Sequence, residues 1–355
     1  MSYKFSILKN QTDEDHQEWI QACESGKYNI KCKVIDISKN DWLENIINED
    51  FDCHLTRPPG EISHFKQLYD ERLYIIHNIL KQKIYPTYEE ILIHENKKFL
   101  SYWLKANKIP HPETWIFYHK DEALKFIKDC TLPIVAKTSI GASGSGVNII
   151  KDRKSLEKYI NKVFSYKGIF RKVGPNLRRG DLGRRLIKRL KNAPHSYKYF
   201  RKKYILKNIT AQKWFVILQK YIQCDFEWRA VRIGDSYFAH KKLRRFGELF
   251  SGTSRVGWDR PPEKLLDFAK FVCDKRNFFS QAVDVFEDEN GQYLVNELQC
   301  FFGSKNPHQM ILDGKPGRYI YRDSQWIFEE GIFNTNNSFD LRVEHVIKLL
   351  KNKEL

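Results

Sequence analysis

The beginning of the chain alternates short apolar runs with polar, helix-like stretches. The apolar runs and the first helical pattern occupy residues 3–9, 31–38, 51–57 and 63–82. Strands that alternate with helices favour a parallel sheet covered by helices. The pattern predicts a small α/β domain over residues 1–88, and Tyr85-Pro86-Thr87 interrupts it at the end.

The remaining pattern mixes helices with strands that are close in sequence. Helical periodicity covers residues 88–107, 121–130, 154–163, 262–276 and 338–352. Strand-like runs cover residues 114–118, 133–137, 147–150, 214–221, 228–233 and 236–240, and VDVF and YLVNEL flank a turn at Asn290-Gly291. We predict three further units, which are residues 89–213, residues 214–330 and a helical segment over residues 331–355.

Composition limits the class of protein. A chain of 355 residues is too long for one ordinary core, and a hydrophobic content of 41% is typical of a globular protein. The sequence contains no apolar run of membrane-spanning length, so we expect neither a membrane span nor a signal peptide. Seven cysteines are scattered without metal-ligand spacing, which indicates free thiols and a reduced, cytoplasmic setting.

The positive charge is concentrated in one segment. The net charge is +17, and residues 167–207 contain fifteen Lys or Arg residues and one acid, Asp181. In this segment Leu182, Leu186, Ile187 and Leu190 share one helical face. Three interpretations remain open: a solvated helical excursion, a contact with an anionic membrane surface or lipid-linked glycan, and nucleic-acid binding.

A lysine and a glycine-rich loop form the first candidate site. Lys137 ends the apolar strand PIVAK, and the loop Gly141–Gly146 follows it. Glycine lets backbone N–H groups approach phosphate oxygens closely. The spacing matches neither the P-loop nor the dinucleotide-binding fingerprint, and a purely structural turn is the alternative.

Two acids form the second candidate site. Asp284 lies between valines on one strand, and Glu297 and Gln299 lie on one face of the next strand. Hairpin pairing would bring these oxygens together. Magnesium prefers hard oxygen ligands and shares them with nucleotide phosphates, so the pattern predicts a magnesium site. The alternative is a solvated hairpin face.

The third segment runs from Gln219 to Arg229. Backbone groups at the strand end Tyr221-Ile222 can contact an adenine edge, and Glu227 can accept hydrogen bonds from ribose hydroxyls. Arg229 can face a phosphate or a carboxylate. An exposed edge strand would give the same pattern.

Taken in order, these motifs resemble the ATP-grasp superfamily from about Tyr85 to Gly303, interrupted by the basic insertion. The resemblance includes Lys97 ahead of Pro110-x-Pro112. It implies an ATP-grasp fold, in which two α+β subdomains clamp ATP, preceded by a small Rossmann-like pre-grasp α/β domain. Residues 89–213, which include the insertion, would be the N-terminal subdomain, and residues 214–330 the C-terminal subdomain with the metal site.

The resemblance also implies ATP and Mg²⁺ as cofactors and assigns roles to particular residues. ATP would be held by Lys97, Lys137, Gly141, Ser143, Gly144, Ser145, Gly146, Gln219, Lys220, Tyr221, Ile222 and Glu227. The transferred phosphoryl group would be stabilised by Arg229, Lys242 and Arg244, and the metal would be bound by Asp284, Glu297 and Gln299. The sequence departs from the family at Gln299, where asparagine is common, and at Lys220, where an acid is usual.

Most members of this superfamily join a carboxylate to an amine through an acyl phosphate. We therefore expect an ATP-dependent ligase with small-molecule carboxylate and amine substrates. Within that class we expect an amide to be formed on a nucleotide- or lipid-linked sugar carboxylate in surface-polysaccharide assembly. An amino-acid ligase acting on a peptide or protein, a polyol kinase and a nucleotide-binding regulatory protein are the alternatives.

Overall fold

A computed structural model describes residues 2–10, 16–60, 62–141, 146–170, 211–244, 250, 255–302 and 306–355. Its helices are α1 Gln17–Cys23, α2 Trp42–Ile47, α3 Ser63–Tyr74, α4 Tyr88–Ile93, α5 Lys97–Ala106, α6 Lys120–Asp129, α7 Arg153–Val163, α8 Glu263–Asp274 and α9 Phe339–Asn352. Short π and 3₁₀ turns cover Ile75–Ile79 and Thr335–Ser338. Within these residues, no helix is long and apolar enough to cross a membrane.

The strands form three sheets. They are β1 Tyr3–Lys9, β2 Ile30–Asp36, β3 Cys53–Leu55, β4 Ile84–Tyr85, β5 Thr114–Phe117, β6 Ile134–Lys137, β7 Val147–Ile150, β8 Val216–Lys220, β9 Phe226–Ile233, β10 Ser236–Leu243, β11 Val256–Gly257, β12 Ser280–Glu287, β13 Tyr293–Gln299, β14 Ile311–Leu312, β15 Lys315–Arg322 and β16 Gln325–Glu330.

The first sheet is parallel and has the strand order β2-β1-β3-β4. Its parallel arrangement agrees with the alternation of apolar runs and helices at the start of the chain. Trp19 of α1 is fully buried, and its ring meets Phe339 of α9 edge to face at 4.7 Å. Val343 and Ile347 of α9 belong to the same core. The terminal helix predicted within residues 331–355 therefore completes the core of the first domain.

The second sheet is antiparallel, with the order β5-β8-β6-β7. Helices α6 and α7 cover one face and bury Ala123, Leu156 and Ile160 against it. Strand β8 pairs with both β5 and β6, so this sheet extends to Lys220 and past the expected boundary at residue 213. The boundary lies later than expected because β8 forms backbone hydrogen bonds with a neighbouring strand on each side.

The third sheet has eight strands and follows the path β13-β12-β9-β10-β15-β14, with β11 on β10 and β16 on β15. Helix α5 packs on it through Leu100, Trp103 and Leu104, together with Leu265 and Leu266 of α8. Helix α5 thus belongs to the core of the large sheet, although we expected it in the unit over residues 89–213. Its apolar face decides the packing partner.

The helix predicted over residues 88–107 is two helices. Glu95 has a positive φ of 53°, and the Asn96 side chain accepts a hydrogen bond from the Phe99 N–H at 3.3 Å. An asparagine that caps a new helix competes with continuation of the preceding one. The break brings Glu95 and Lys97 to the edge of the third sheet.

A buried carboxylate fixes α4 to that sheet. Glu90 accepts hydrogen bonds from the backbone N–H groups of Ser280 at 2.7 Å and Phe279 at 3.0 Å. It also accepts from the Thr87 N–H at 2.9 Å in a capping box. Burial raises the pKa of Glu90 to about 7, although these hydrogen bonds oppose the shift. The start of β12 is therefore attached to the segment that leads into α5.

Candidate functional site

The two predicted acids lie opposite each other on paired strands. Strands β12 and β13 are antiparallel, and Asp284 is the register partner of Glu297. The register shifts immediately afterwards, so Val285 pairs with Val295 and Asn296 is the extra residue of a bulge. A bulge redirects side chains locally. Here it brings Asn296 as well as Glu297 into contact with lysines of the site.

Asp284 is the buried centre of the site. Arg229 of β9 donates to both of its oxygens, at 2.7 and 2.8 Å, and Lys242 of β10 donates to one at 2.8 Å. Asp284 is 1% exposed. Burial alone would raise its pKa, but the two cations hold the pKa well below its ordinary range. The carboxylate therefore stays ionised inside the protein.

Glu297 lies nearer the solvent and pairs with Lys97 at the start of α5. The Lys97 Nζ is 2.9 Å from the Glu297 carboxylate and donates to the Gly141 carbonyl at 2.8 Å. The Glu95 carboxylate is 3.4 Å from the same Lys97 ammonium group. Burial would lower the pKa of Lys97, but Glu297 and Glu95 raise it above its usual value. Lys97 therefore remains a cation beside the glycine-rich loop.

Lys137 reaches the same place from the second sheet. Its Nζ donates to Asn296 Oδ1 at 2.8 Å, and Asn296 Nδ2 donates to Glu227 at 2.5 Å. Glu227 in turn pairs with Lys242. Burial lowers the pKa of Lys137 to about 8, partly offset by Glu297. Asn296 thus links the lysine of one sheet to the charges of the other.

Gln299 connects the two halves of the cluster. Its Nε2 donates to Glu95 at 2.8 Å, and its Oε1 accepts from Arg229 at 3.4 Å. Contacts between side chains therefore run from Lys137 to Lys97 through both strands of the hairpin. We call this set the polar network; its members are Glu95, Lys97, Lys137, Glu227, Arg229, Lys242, Asp284, Asn296, Glu297 and Gln299.

The polar network contains the types of oxygen atom that magnesium prefers. Asp284 and Glu297 offer carboxylate oxygens. Burial would raise the pKa of both acids, but the neighbouring cations lower it below its ordinary value. Gln299 adds an amide oxygen. Within the described parts of the chain, no group of three or more His, Cys, Asp or Glu residues could hold a metal ion. Two carboxylates completed by phosphate oxygens are a usual magnesium environment in nucleotide sites.

A pocket of about 430 Å³ opens at the end of β8. Tyr221, Asp225 and Arg244 line it, together with Leu132, Pro133, Ile149, Lys151 and Gln223. We expected Arg244 beside Arg229 and Lys242, but its guanidinium donates to the Cys224 carbonyl and stacks on Phe250. Glu227 faces the polar network, whereas Asp225 faces the pocket.

The remaining sequence candidates have mixed positions. Gln219 donates to Thr114 Oγ1 at 3.0 Å, and the Lys220 N–H donates to the Glu113 carbonyl at 2.8 Å. Gly146 lies close to Thr138, and a Cβ added at Gly146 would be 1.8 Å from the hydroxyl oxygen of Thr138. Ile222 follows β8 and its carbonyl accepts from Cys224 Sγ at 3.9 Å. Ser143, Gly144, Ser145 and most of the basic insertion, residues 171–207, lie outside the described residues.

Sequence reasoning missed Glu95 and Asn296. Glu95 looked like an interior helix residue, and its positive φ is not visible in the apolar pattern. Asn296 has the strand parity opposite to Glu297, and only the bulge brings both to the site. The adjacent polar pair Asn296-Glu297 inside the run YLVNEL was the available signal.

Comparison with solved structures identifies the fold. D-alanine–D-alanine ligase from Bacillus anthracis matches 99% of this chain and 100% of its own, with a TM-score of 0.55 and 13% identity. The RimK domain ATP-grasp protein from Sphaerobacter thermophilus matches 83% of this chain and 90% of its own, with a TM-score of 0.50 and 13% identity. The chain has the ATP-grasp fold.

Two further comparisons bear on this ATP-grasp fold. N5-carboxyaminoimidazole ribonucleotide synthetase from Thermotoga maritima matches 97% of the chain and 76% of its own, with a TM-score of 0.54 and 14% identity. Phosphoribosylamine–glycine ligase of Clostridium acetobutylicum is 35% identical over 79 residues, which are 22% of this chain and 19% of that enzyme. The chain thus matches about a fifth of this curated relative. No family model matches the chain.

The buried pair of Arg229 and Asp284 gives a stability prediction. We expect Arg229→Leu to destabilise the protein by about 3–5 kcal/mol, because it removes the bidentate partner of a buried carboxylate. The double variant Arg229→Leu, Asp284→Leu should recover much of this loss, because no uncompensated charge remains. Urea unfolding of both variants measures the difference. Equal destabilisation would mean that packing, and not charge compensation, dominates at these positions.

Proposed function

We propose that the chain is an ATP- and Mg²⁺-dependent ligase that joins a carboxylate to an amine. The observation that carries this proposal is the polar network, in which Lys97 pairs with Glu297, the register partner of Asp284, and Lys137 donates to the neighbouring Asn296. Cations for phosphate and oxygens for magnesium at one place are what phosphoryl transfer requires. Related folds support it, since the Bacillus anthracis ligase was also solved with ATP.

The chain's residues would act mainly by positioning and charge compensation. Lys97 and Lys137 would hold phosphate oxygens, and the loop from Gly141 would exclude water. Asp284 and Glu297 would hold Mg²⁺, which when bound neutralises phosphate charge. Arg229 and Lys242 keep Asp284 ionised and would stabilise the transferred phosphoryl group. The substrate carboxylate would take the γ-phosphoryl group, and the amine would then displace phosphate.

The pocket at the end of β8 would receive the base of the nucleotide. Tyr221, Pro133 and Ile149 supply apolar surface there, and Asp225 supplies an acceptor for hydroxyl groups. We therefore propose Asp225 as the ribose partner in place of Glu227, whose carboxylate is 2% exposed and pairs with Lys242. Gln219, Lys220 and Ile222 would border the base through the backbone near the strand end.

Lys137 gives a prediction with a defined pH dependence. We expect Lys137→Ala to lower kcat/KM for ATP about 10²–10³-fold, because a direct phosphate partner is lost. In the wild type, kcat/KM for ATP should fall as the pH rises through about 8, where Lys137 loses its proton. Lys137→Arg should move this decline to higher pH, because a guanidinium stays charged.

The control for this series is Lys125→Ala, since the Lys125 side chain is exposed on α6 and has no proposed role in the site. Lys125→Ala should keep near wild-type turnover with the same alkaline decline. If Lys137→Arg declines at the same pH as the wild type, Lys137 is not the titrating group. If Lys137→Ala turns over normally, the phosphate assignment is wrong.

The products distinguish a ligase from a kinase. We expect ADP and inorganic phosphate to accumulate only when a carboxylate and an amine are both present. Hydroxylamine should trap the acyl phosphate as a hydroxamate when the amine is omitted. A stable phosphorylated polyol without phosphate release would overturn the ligase proposal while leaving the ATP site intact.

For the substrate class we propose a sugar-linked carboxylate used in surface-polysaccharide assembly. The support is the fifteen cations of residues 167–207, which suit a phosphate-bearing sugar donor or lipid carrier. Turnover with nucleotide-linked uronic acids and an amine tests this class directly. Preference for free amino acids with a peptide carboxylate would instead indicate an amino-acid ligase.

We further propose that residues 167–207 contact an anionic membrane surface. The protein should co-sediment with phosphatidylglycerol vesicles but not with phosphatidylcholine vesicles, and salt should weaken binding because it screens each Lys or Arg contribution of about 1 kcal/mol. The double variant Leu186→Glu, Leu190→Glu should abolish binding. Binding to oligonucleotides that survives these leucine changes would favour nucleic acid, and no binding to either would leave a solvated segment.

A further inference from the structure

Strands β6 and β8 stop pairing at the end where the glycine-rich loop begins. Their antiparallel register pairs Lys137 with Ile217, and its continuation would place Ser139 opposite Phe215. Neither Ser139 nor Phe215 belongs to a strand, because β6 ends at Lys137 and β8 begins at Val216. The backbone pairing of the two strands therefore ends two residues before Ser139.

A side-chain amide joins the two backbones at this point. Gln212 Oε1 accepts a hydrogen bond from the Ser139 N–H at 2.6 Å, and Gln212 Nε2 donates to the Phe215 carbonyl at 3.1 Å. A primary amide offers the same kinds of donor and acceptor as a peptide group, so it bridges the two segments as a hydrogen bond of the sheet would. Gln212 and Ser139 are both buried, and loss of the amide would leave the Ser139 N–H without this acceptor.

Ser139 connects this bridge to the two lysines of the polar network. It lies two residues after Lys137 and two residues before Gly141. Its carbonyl accepts from the Lys97 N–H at 2.9 Å, and its hydroxyl donates to Oδ1 of Asn96, the N-cap of α5, at 3.2 Å. The Lys97 side chain then donates to the Gly141 carbonyl. Ser139 thus joins the end of β6 to the start of α5, and its position affects the spacing between Lys97 and Lys137.

The backbone of Gln212 is held from another direction. It exchanges two hydrogen bonds with Ile169, each at 2.9 Å, in an isolated antiparallel bridge. In the sequence, Ile169 and Gln212 stand on either side of most of the cations of the basic insertion. The bridge at the base of the insertion and the segment around Ser139 therefore share one side chain.

We propose that Gln212 is a positioning residue of the ATP site, which acts through Ser139 on the spacing of Lys97 and Lys137. This inference rests on the proposed function, because it assumes that both lysines hold phosphate oxygens. Lys137 ends a strand of the second sheet, whereas Lys97 begins a helix that packs on the third sheet, so no single element fixes their separation. Binding of the β- and γ-phosphates should therefore depend on Gln212, and binding of the base should not.

Binding of two nucleotides to the full chain measures this difference. In the presence of Mg²⁺, Gln212→Met should weaken binding of adenylyl imidodiphosphate, an ATP analogue that resists cleavage, at least about tenfold, because small displacements of positioning groups are costly. The affinity for AMP, which lacks the β- and γ-phosphates, should stay close to that of the wild type. Calorimetry measures the first affinity, and competition against the analogue measures the second.

The matched control is Gln325→Met, at an exposed position on β16 that has no proposed role in the site. It should keep both affinities. If Gln212→Met weakens AMP and the analogue by the same factor, or weakens neither, the inference is wrong. If the wild type itself does not bind the analogue, the proposed ATP site is wrong, and this inference fails with it.

A measurement on the wild type covers the case in which Gln212→Met does not fold. Saturation with the analogue should slow amide hydrogen exchange in peptides covering residues 138–141 and 211–216 together, because Gln212 joins these segments. Saturation with AMP should leave both peptides near the rate of the free protein. Slower exchange in residues 138–141 alone would show that Gln212 is not coupled to phosphate binding.

Discussion

Charge compensation around one buried carboxylate is the constraint on which the rest of the site depends. Asp284 is ionised in a place almost free of solvent, so it requires cations with fixed geometry. Arg229 comes from β9, which is next to β12, and Lys242 comes from β10, which is the strand beyond β9; each side chain is itself buried. Their ammonium and guanidinium groups then need further acceptors, which Glu227 and Gln299 supply. The network extends outward from this requirement.

The network joins separate parts of the fold. Lys137 belongs to the second sheet, Lys97 to helix α5, which packs on the third sheet, and Asn296 to the bulge between β12 and β13. Lys137 reaches Asn296 through its side chain, and Lys97 contacts the Ser139 and Gly141 carbonyls that follow β6. Relative movement of the two sheets would therefore change these contacts, while the Asp284 cluster stays within one sheet.

The sequence predicted those parts of the site that follow strand periodicity. Asp284 opposite Glu297 and a lysine at the end of β6 required only alternation and a hairpin turn. It did not predict Asn296, because a bulge breaks the parity on which such reasoning rests. It did not predict the position of Arg244, whose strand ends at Leu243 so that the side chain turns toward Cys224. The packing of α5 also depended on tertiary contacts that no local pattern contains.

The packing of α9 on α1 has a consequence for synthesis of the chain on the ribosome. Trp19 is covered by Phe339 and Phe301, which emerge long after the parallel sheet has been made. The nascent first domain therefore presents an open apolar face through most of translation. Its final closure is a non-local event, and such contacts form slowly because a long intervening chain must first be ordered. A nascent chain arrested before Phe339 would carry this face uncovered, which makes it a natural client for a chaperone.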